Sequence, residues 1–137
     1  MSQSSTQSSI QTGLQSYAPA ILSLVRIVAG LIFMEHGTQK LFGFPAGNYE
    51  VAAFSLIWFA GVLEAFGGLL IVLGLFTRPV AFVLSGQMAF AYFMGHFPKS
   101  FFPALNGGDA AILYCFFFLY LVFAGPGPYS ADAAREG

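Results

Sequence analysis

Apolar residues occur along this chain in four long blocks that are separated by short segments rich in Gly and Pro. The blocks extend from Ala18 to Lys40, from Val51 to Phe76, from Pro79 to about His96, and over AAILYCFFFLYLVFA, which directly follows Asp109. A transmembrane helix needs about 20 predominantly apolar residues, a length that the first two blocks provide and the last two approach. The pattern therefore predicts four transmembrane helices.

The predicted connections between these helices are short, so consecutive helices should lie side by side and run in opposite directions. We therefore expect an all-α integral membrane four-helix bundle, up-down-up-down, with both termini on the same side. Residues 1–17 are rich in Ser and Gln and lack the basic segment of a secretory signal, which favours a disordered polar tail. Residues 18–128 form the transmembrane domain, and residues 129–137 a polar C-terminal tail.

The orientation of the bundle is not decided by its basic residues. Arg78 and Arg135 fall at the end that carries the termini, which we call the terminal end. Lys40 and Lys99 fall at the opposite, distal end, so the positive-inside count is tied. Cytoplasmic termini are preferred, because the polar N-terminal segment then need not cross the membrane.

The composition supports membrane insertion and excludes several other classes of protein. Of 137 residues, 57% are hydrophobic and only 8% are charged, with a formal net charge of −1. Soluble domains usually have about 25% charged residues. Five basic against six acidic residues give no nucleic-acid footprint, and the high hydrophobicity excludes disorder of the whole chain. The 1 Cys excludes an intrachain disulfide and a thiolate metal cage.

Two ionisable residues, Arg26 and Glu64, fall inside the predicted spans, where charge is costly and is usually paired or functional. A rise of about 1.5 Å per residue places them at neighbouring depths of two antiparallel helices. We expect a buried Arg26–Glu64 pair, with Gln87 as a third member. Gly61 and Gly68 share the Glu64 face and would permit close helix contact. The pair could fix the helix register or relay protons.

A second set of polar residues is predicted at the distal end: His36, Lys40, His96, Asn106 and Asp109. Because His titrates near neutral pH, we expect His36, His96 and Asp109 to transfer protons. His36, Lys40, Asn106 and Asp109 could hold the headgroup of a quinone. Each His could instead make an interfacial hydrogen bond. No metal site is expected, because HxxxH and ExxH spacings are absent.

Four segments together carry a family pattern: MEHGTQKLFGFP, AGVLEAFGGLLIVLGLFTRP, AYFMGHFP and FFPALNGGDAAILYCFFFLYLVFAGPGPYS. From Leu24 to Asp132 the chain resembles the DoxX family of small bacterial membrane proteins. The resemblance implies four helices in the cytoplasmic membrane and a redox connection, since relatives are subunits of quinol or thiosulfate–quinone oxidoreductases or are linked to thiol stress. Distant relatives are cargo receptors or assembly chaperones. No haem, flavin or metal motif carries over.

Two functions of different classes are consistent with these features. The first is a quinone-interacting subunit of a membrane oxidoreductase or thiol-stress complex, working with a partner subunit or as a homo-oligomer. The alternative is a non-enzymatic scaffold or assembly chaperone for another membrane protein. A small-solute transporter is the weakest hypothesis, because no internal inverted repeat is visible. Whether the chain itself is an enzyme stays open.

Overall fold

The computed structural model describes residues 2–48 and 50–137, which form helices and connecting loops without any strand. The helices are α1 (Ser2–Phe42), α2 (Leu56–Leu73), α3 (Thr77–Ala91), α4 (Pro103–Asn106), α5 (Asp109–Ala124) and α6 (Ala131–Glu136). A π-helical turn, Tyr92–His96, and a 3₁₀ turn, Phe97–Lys99, continue α3 without a break. The all-α prediction is therefore confirmed for the described residues.

Three stretches of helix are long and apolar enough to cross a membrane: Gln3–Phe42, Leu56–Leu73 and Thr77–Lys99. The fourth predicted span corresponds to α5, which is apolar but has only 16 residues. At about 1.5 Å per residue, α5 is about 24 Å long, somewhat less than the hydrocarbon thickness of about 30 Å. The length and apolar character of the three longer helices agree with a membrane protein.

The N-terminal segment differs from its prediction. Residues 1–17 were expected to be disordered, but α1 begins at Ser2 and continues through Pro19 as one helix; Met1 lies outside the described residues. Once a helix exists, each further residue adds a hydrogen bond at little cost. Side-chain hydroxyls of this segment also bond to backbone carbonyls of the same helix, as in Ser9, Thr12 and Ser16.

Helices α1 and α2 pack closely in an antiparallel pair, because glycines remove side chains from their interface. Gly30 lies against Val72, and Gly37 lies directly against the backbone of Ala65. A Cβ on Gly68 would meet the backbone of Met34 at 2.9 Å. Residues later in α1 thus contact residues earlier in α2, as expected for antiparallel helices. The predicted Gly61–Glu64–Gly68 face is buried.

The remaining long helix, α5, packs mainly on α3. The hydroxyl of Ser85 donates to the carbonyl oxygen of Cys115 at 2.8 Å. Between α1 and α5 the contact is made by aromatic rings, with Phe33 at 4.9 Å from Phe118 and 5.2 Å from Tyr114. The helices therefore follow one another around the core in the order α1, α2, α3, α5, and the core is formed by Phe33, Ile71, Ala81, Leu84, Met88, Phe118 and Leu121.

Candidate functional site

At the terminal end, Arg26 is fully buried and bonds to four backbone carbonyls. Its guanidinium donates to Ile71 and Val72, which lie in the last turn of α2. It also donates to Pro126 and Tyr129, which follow α5. The last carbonyls of a helix have no partner within the helix and carry partial negative charge, so a cation is stabilised there. Arg26 thus ties the end of α2 to the C-terminal segment.

The C-terminal segment packs against the rest of the fold. The Ser23 hydroxyl accepts the Tyr129 N–H at 3.1 Å and donates to Pro126 at 3.4 Å. Gly127 lies directly against the Ser23 hydroxyl with φ 81°, a conformation and a space that favour glycine. Residues 125–136 therefore cover the terminal end, and we call them the C-terminal clamp.

Two further charged residues cap helices at the terminal end. Arg78 donates to the carbonyls of Val122 and Phe123, both at 2.7 Å, in the last turn of α5. Asp132 accepts the backbone N–H groups of Phe76 and Thr77, both at 2.9 Å, at the start of α3. Cations therefore lie at helix C-termini and an anion at a helix N-terminus, as the helix dipole favours.

The surroundings of Asp132 shift its ionisation. Partial burial favours the neutral carboxyl, but the hydrogen bonds from Thr77 and Phe76, with the charge of Arg135, have the larger effect and lower the pKa of Asp132 below its ordinary value. Asp132 also interacts electrostatically with Arg26. Asp132 therefore stays ionised while it caps α3.

The predicted Arg26–Glu64 pair is wrong within the described residues. Glu64 instead accepts a hydrogen bond from Lys40, with Lys40 Nζ and Glu64 Oε2 only 2.6 Å apart. The side chain of Glu64 is 7% exposed and that of Lys40 is 17% exposed. The antiparallel register explains the exchange, because Gly61, one turn before Glu64, lies against Lys40. The sequence could not show that backbone carbonyls would satisfy Arg26 and leave Glu64 to another cation.

Gln87 is not the third member of an Arg26–Glu64 pair. Its side-chain N–H donates to the carbonyl of Ala60 at 3.3 Å, so it joins α3 to α2. Its carbonyl oxygen, Oε1, is buried without a hydrogen-bond partner among the described residues. His36 interacts electrostatically with Glu64, although its own side chain is exposed. Lys40, Glu64 and His36 therefore form one distal-end cluster, which we call the α1–α2 cluster.

The other predicted distal residues lie in a second network, between α3 and α5. Asn106 is buried, donates to the Tyr92 hydroxyl and the Ser100 carbonyl, and accepts the N–H of Gly108 at 2.8 Å. His96 Nδ1 is 3.1 Å from the backbone carbonyl oxygen of Asn106. Both polar atoms of the Asn106 side-chain amide thus bond within the fold and hold the loop before α5 in place. The sequence missed Tyr92, whose spacing of four from His96 places both on one helical face.

Asp109 joins neither cluster. It is exposed in the first turn of α5, and it makes no hydrogen bond or ion pair with the described part of the chain. No hydrogen bond, ion pair or ring contact joins His36 to His96 across residues 2–48 and 50–137. The predicted proton-transfer group of His36, His96 and Asp109 is therefore distributed over the distal end, with His36 on the α1–α2 side and the other two on the α3–α5 side.

Between α1 and α5 the surface has an open groove of about 310 Å³. The groove is lined by Ala29, Ala110, Leu113, Tyr114 and Phe117. Glu35, exposed on α1, interacts electrostatically with Tyr114. In the described residues, no group of three or more His, Cys, Asp or Glu side chains is placed to hold a metal ion.

One comparison with known proteins names a family. The sequence profile named DoxX matches residues 21–97. An uncharacterized protein of Haemophilus influenzae is 43% identical over 125 residues, which cover 87% of this chain and 93% of that protein. No solved structure matches the chain. The matched profile includes Arg26, the α1–α2 cluster and His96, and it ends before Asn106.

Proposed function

This chain belongs to the DoxX family, and from the placement of its polar groups we propose that it is a quinone-interacting subunit of a membrane oxidoreductase or thiol-stress complex. The observation that supports this function best is the α1–α2 cluster. A Lys–Glu ion pair of 2.6 Å, beside an exposed His, lies near the distal end of an apolar bundle. Ionisable groups inside a membrane span are costly and are commonly retained for proton or substrate handling.

The proposal places the protein in the cytoplasmic membrane of a bacterium as a multi-pass protein. α1, α2, α3 and α5 would cross up-down-up-down, with both termini on the cytoplasmic side. The antiparallel α1–α2 pair and the return of residues 125–136 to the start of the α1 core support this topology. A local thinning of the bilayer would accommodate the shorter α5.

In this function Glu64 and His36 exchange protons with the headgroup, and Lys40 stabilises negative charge on it. A quinol releases protons when it is oxidised, and the electrons pass to a redox centre of the partner subunit. Lys40 bonds to Oε2 of Glu64, which leaves the other carboxylate oxygen as the proton acceptor in this proposal. His96 and Asp109, on the α3–α5 side, would face the outer part of the headgroup, with Asn106 positioning His96.

The test is binding of decylubiquinone to the purified protein in nanodiscs, measured as a thermal shift. We expect a quinone-dependent rise in the unfolding temperature that Lys40→Met and His36→Ala strongly reduce. Lys99→Met is the matched control, because Lys99 is an exposed lysine at the same end. A shift that is absent from the unmodified protein, or equally reduced by Lys99→Met, contradicts the proposal.

A non-enzymatic scaffold or assembly chaperone is the second candidate, and a specific observation favours it. The polar side-chain atoms of Arg26 and Asn106, two of the predicted site residues, make hydrogen bonds within the fold and are not available to a ligand. The glycine face of α2 lies against α1 and is not free for a partner. A scaffold would therefore contact its partner through exposed side chains such as Phe66 and Phe116.

Cross-linking in native membranes followed by mass spectrometry distinguishes the two functions. A scaffold predicts a partner whose abundance falls when Phe66 or Phe116 is replaced by Ala, while His36→Ala and Asp109→Ala leave it unchanged. A quinone-interacting subunit predicts the reverse for activity of the complex: loss with His36→Ala and little change with the Phe variants.

A further inference from the structure

A row of exposed apolar side chains runs along α1, and we call it the α1 seam. Its members are Ile10, Leu14, Tyr17, Ile21, Leu24, Val28 and Leu31, all exposed. The intervals between them alternate between four and three residues without a break. This is the 3.5-residue repeat with which helices form a coiled coil.

The α1 seam lies on the side of the helix that faces away from the core. Val28 is two positions from Gly30, and Gly30 packs against α2. Positions two apart differ by about 200° around a helix with 3.6 residues per turn. Within a membrane, lipid could cover the seam from Ile21 to Leu31 without any protein partner.

The seam continues beyond the part of α1 that lipid can cover. With 41 residues and a rise of about 1.5 Å, α1 is about 62 Å long, which is twice the hydrocarbon thickness of about 30 Å. Its C-terminal half carries the core contacts, so the N-terminal portion projects from the bundle. Ile10, Leu14 and Tyr17 are exposed there, among Ser, Gln and Thr.

The bundle does not cover the projecting helix, since residues 3–19 are all exposed. A Cβ at Gly13 would find nothing within 4 Å. The hydroxyls of Thr12 and Ser16 bond to their own helix, which marks the polar side. A partner along the apolar side would stabilise the projecting helix by burying Ile10, Leu14 and Tyr17, which are exposed there.

We propose that the occupant of the α1 seam is a second copy of this chain, joined in a parallel two-stranded coiled coil. Copies inserted in one membrane share one orientation, so their seams meet in parallel and in register. No residue from Ser2 to Val25 has a charged side chain, so two copies approach without repulsion. The proposal rests on the membrane placement above and does not depend on quinone binding.

From Ile21 to Leu31 the side chains of the seam match the two-stranded form. With Ile21 and Val28 at the a positions, Leu24 and Leu31 occupy d. β-Branched residues at a with Leu at d favour parallel dimers. Two small residues, Ala18 and Ala20, flank the seam at positions e and g and permit close approach. Glu35 takes the next a position and ends the seam, because two carboxylates would repel each other.

The test uses single cysteines in a Cys115→Ser background and oxidative cross-linking in native membrane vesicles. Ile10→Cys and Leu14→Cys occupy d and a, whereas Thr12→Cys and Ser16→Cys lie at f and c on the same projecting helix. We expect several-fold more covalent dimer from the first two variants than from the control pair. Equal yields at all four positions, no dimer at any, or cross-links to a different protein would overturn the proposal.

A second measurement separates dimerisation from folding. Leu14→Glu should abolish the dimer seen by native mass spectrometry, and Thr12→Glu should preserve it. Because both side chains are exposed and remote from the core, both variants should purify as folded, monodisperse protein, so that only the dimer distinguishes them. A dimer that survives Leu14→Glu would contradict the parallel seam.

Discussion

The two ends of this bundle use their few charged residues in opposite ways. At the terminal end, Arg26, Arg78 and Asp132 bond to backbone groups at helix termini, and Arg26 is buried beneath residues 125–136. At the distal end, the charged pair Lys40–Glu64 is between side chains, and His36 and Asp109 stay exposed. Backbone partners cannot move independently of the fold, whereas side-chain partners can exchange. The charged residues of the terminal end therefore maintain the structure, whereas those of the distal end are the ones to which we assign the proposed handling of protons or a ligand.

This contrast predicts the largest loss of stability at Arg26. Arg26→Ala leaves the carbonyls of α2 and the C-terminal clamp without their donor, inside an apolar bundle. We expect a loss of about 3 to 5 kcal/mol, the range for leaving buried polar partners uncompensated. The loss is measured from the unfolding temperature in detergent, with size-exclusion chromatography reporting the folded fraction after heating. Arg135→Ala is the control, because Arg135 is exposed, and equal losses in both variants would remove the distinction.

The Lys40–Glu64 pair should have the next largest effect. Lys40→Met or Glu64→Gln should each cost about 1 to 3 kcal/mol, between the values for exposed and fully buried pairs. The double variant should cost less than the sum, because neither residue is then left without its partner. A double-mutant cycle of chemical unfolding measures the coupling. Strict additivity would mean that the two side chains act independently.

A smaller effect is expected at Asp132. Asp132→Asn retains one acceptor for two backbone donors, so at neutral pH it should cost about 1 kcal/mol, as for a helix N-cap. The lowered pKa of Asp132 makes its contribution full above its ordinary value of about 3.9, and the contribution is lost as the pH falls below it. The unfolding temperature should therefore fall less between pH 7 and pH 3 in Asp132→Asn than in the unmodified protein. An unchanged acid sensitivity would contradict this role.

The smallest effect is predicted at Asp109. Its side chain is exposed and has no partner in the described chain, so Asp109→Asn should change the free energy of unfolding by less than about 0.5 kcal/mol. Equilibrium unfolding under the same conditions as for Asp132→Asn tests this. A loss as large as that of Asp132→Asn would show that the distal end also uses Asp109 to hold the fold.

The sequence by itself determined the helical class, the four apolar blocks, and the buried face of the second helix. That face follows from periodicity, because Gly61, Glu64 and Gly68 must share a face of any helix that contains them. Family membership was also readable, since it depends on residue identity at fixed spacings. The matched profile over residues 21–97 confirms it.

Only the tertiary structure decided which groups bond to one another. Depth along a span allowed Arg26 to meet Glu64, but the close glycine contacts set a register in which Lys40 reaches that carboxylate. Arg26 then bonds to carbonyls of α2 and the clamp, which no pattern of side chains reveals. Backbone carbonyls are the same at every residue, so a sequence does not mark those that a fold will leave without partners. That is why the sequence located the charged residues and the fold assigned their partners.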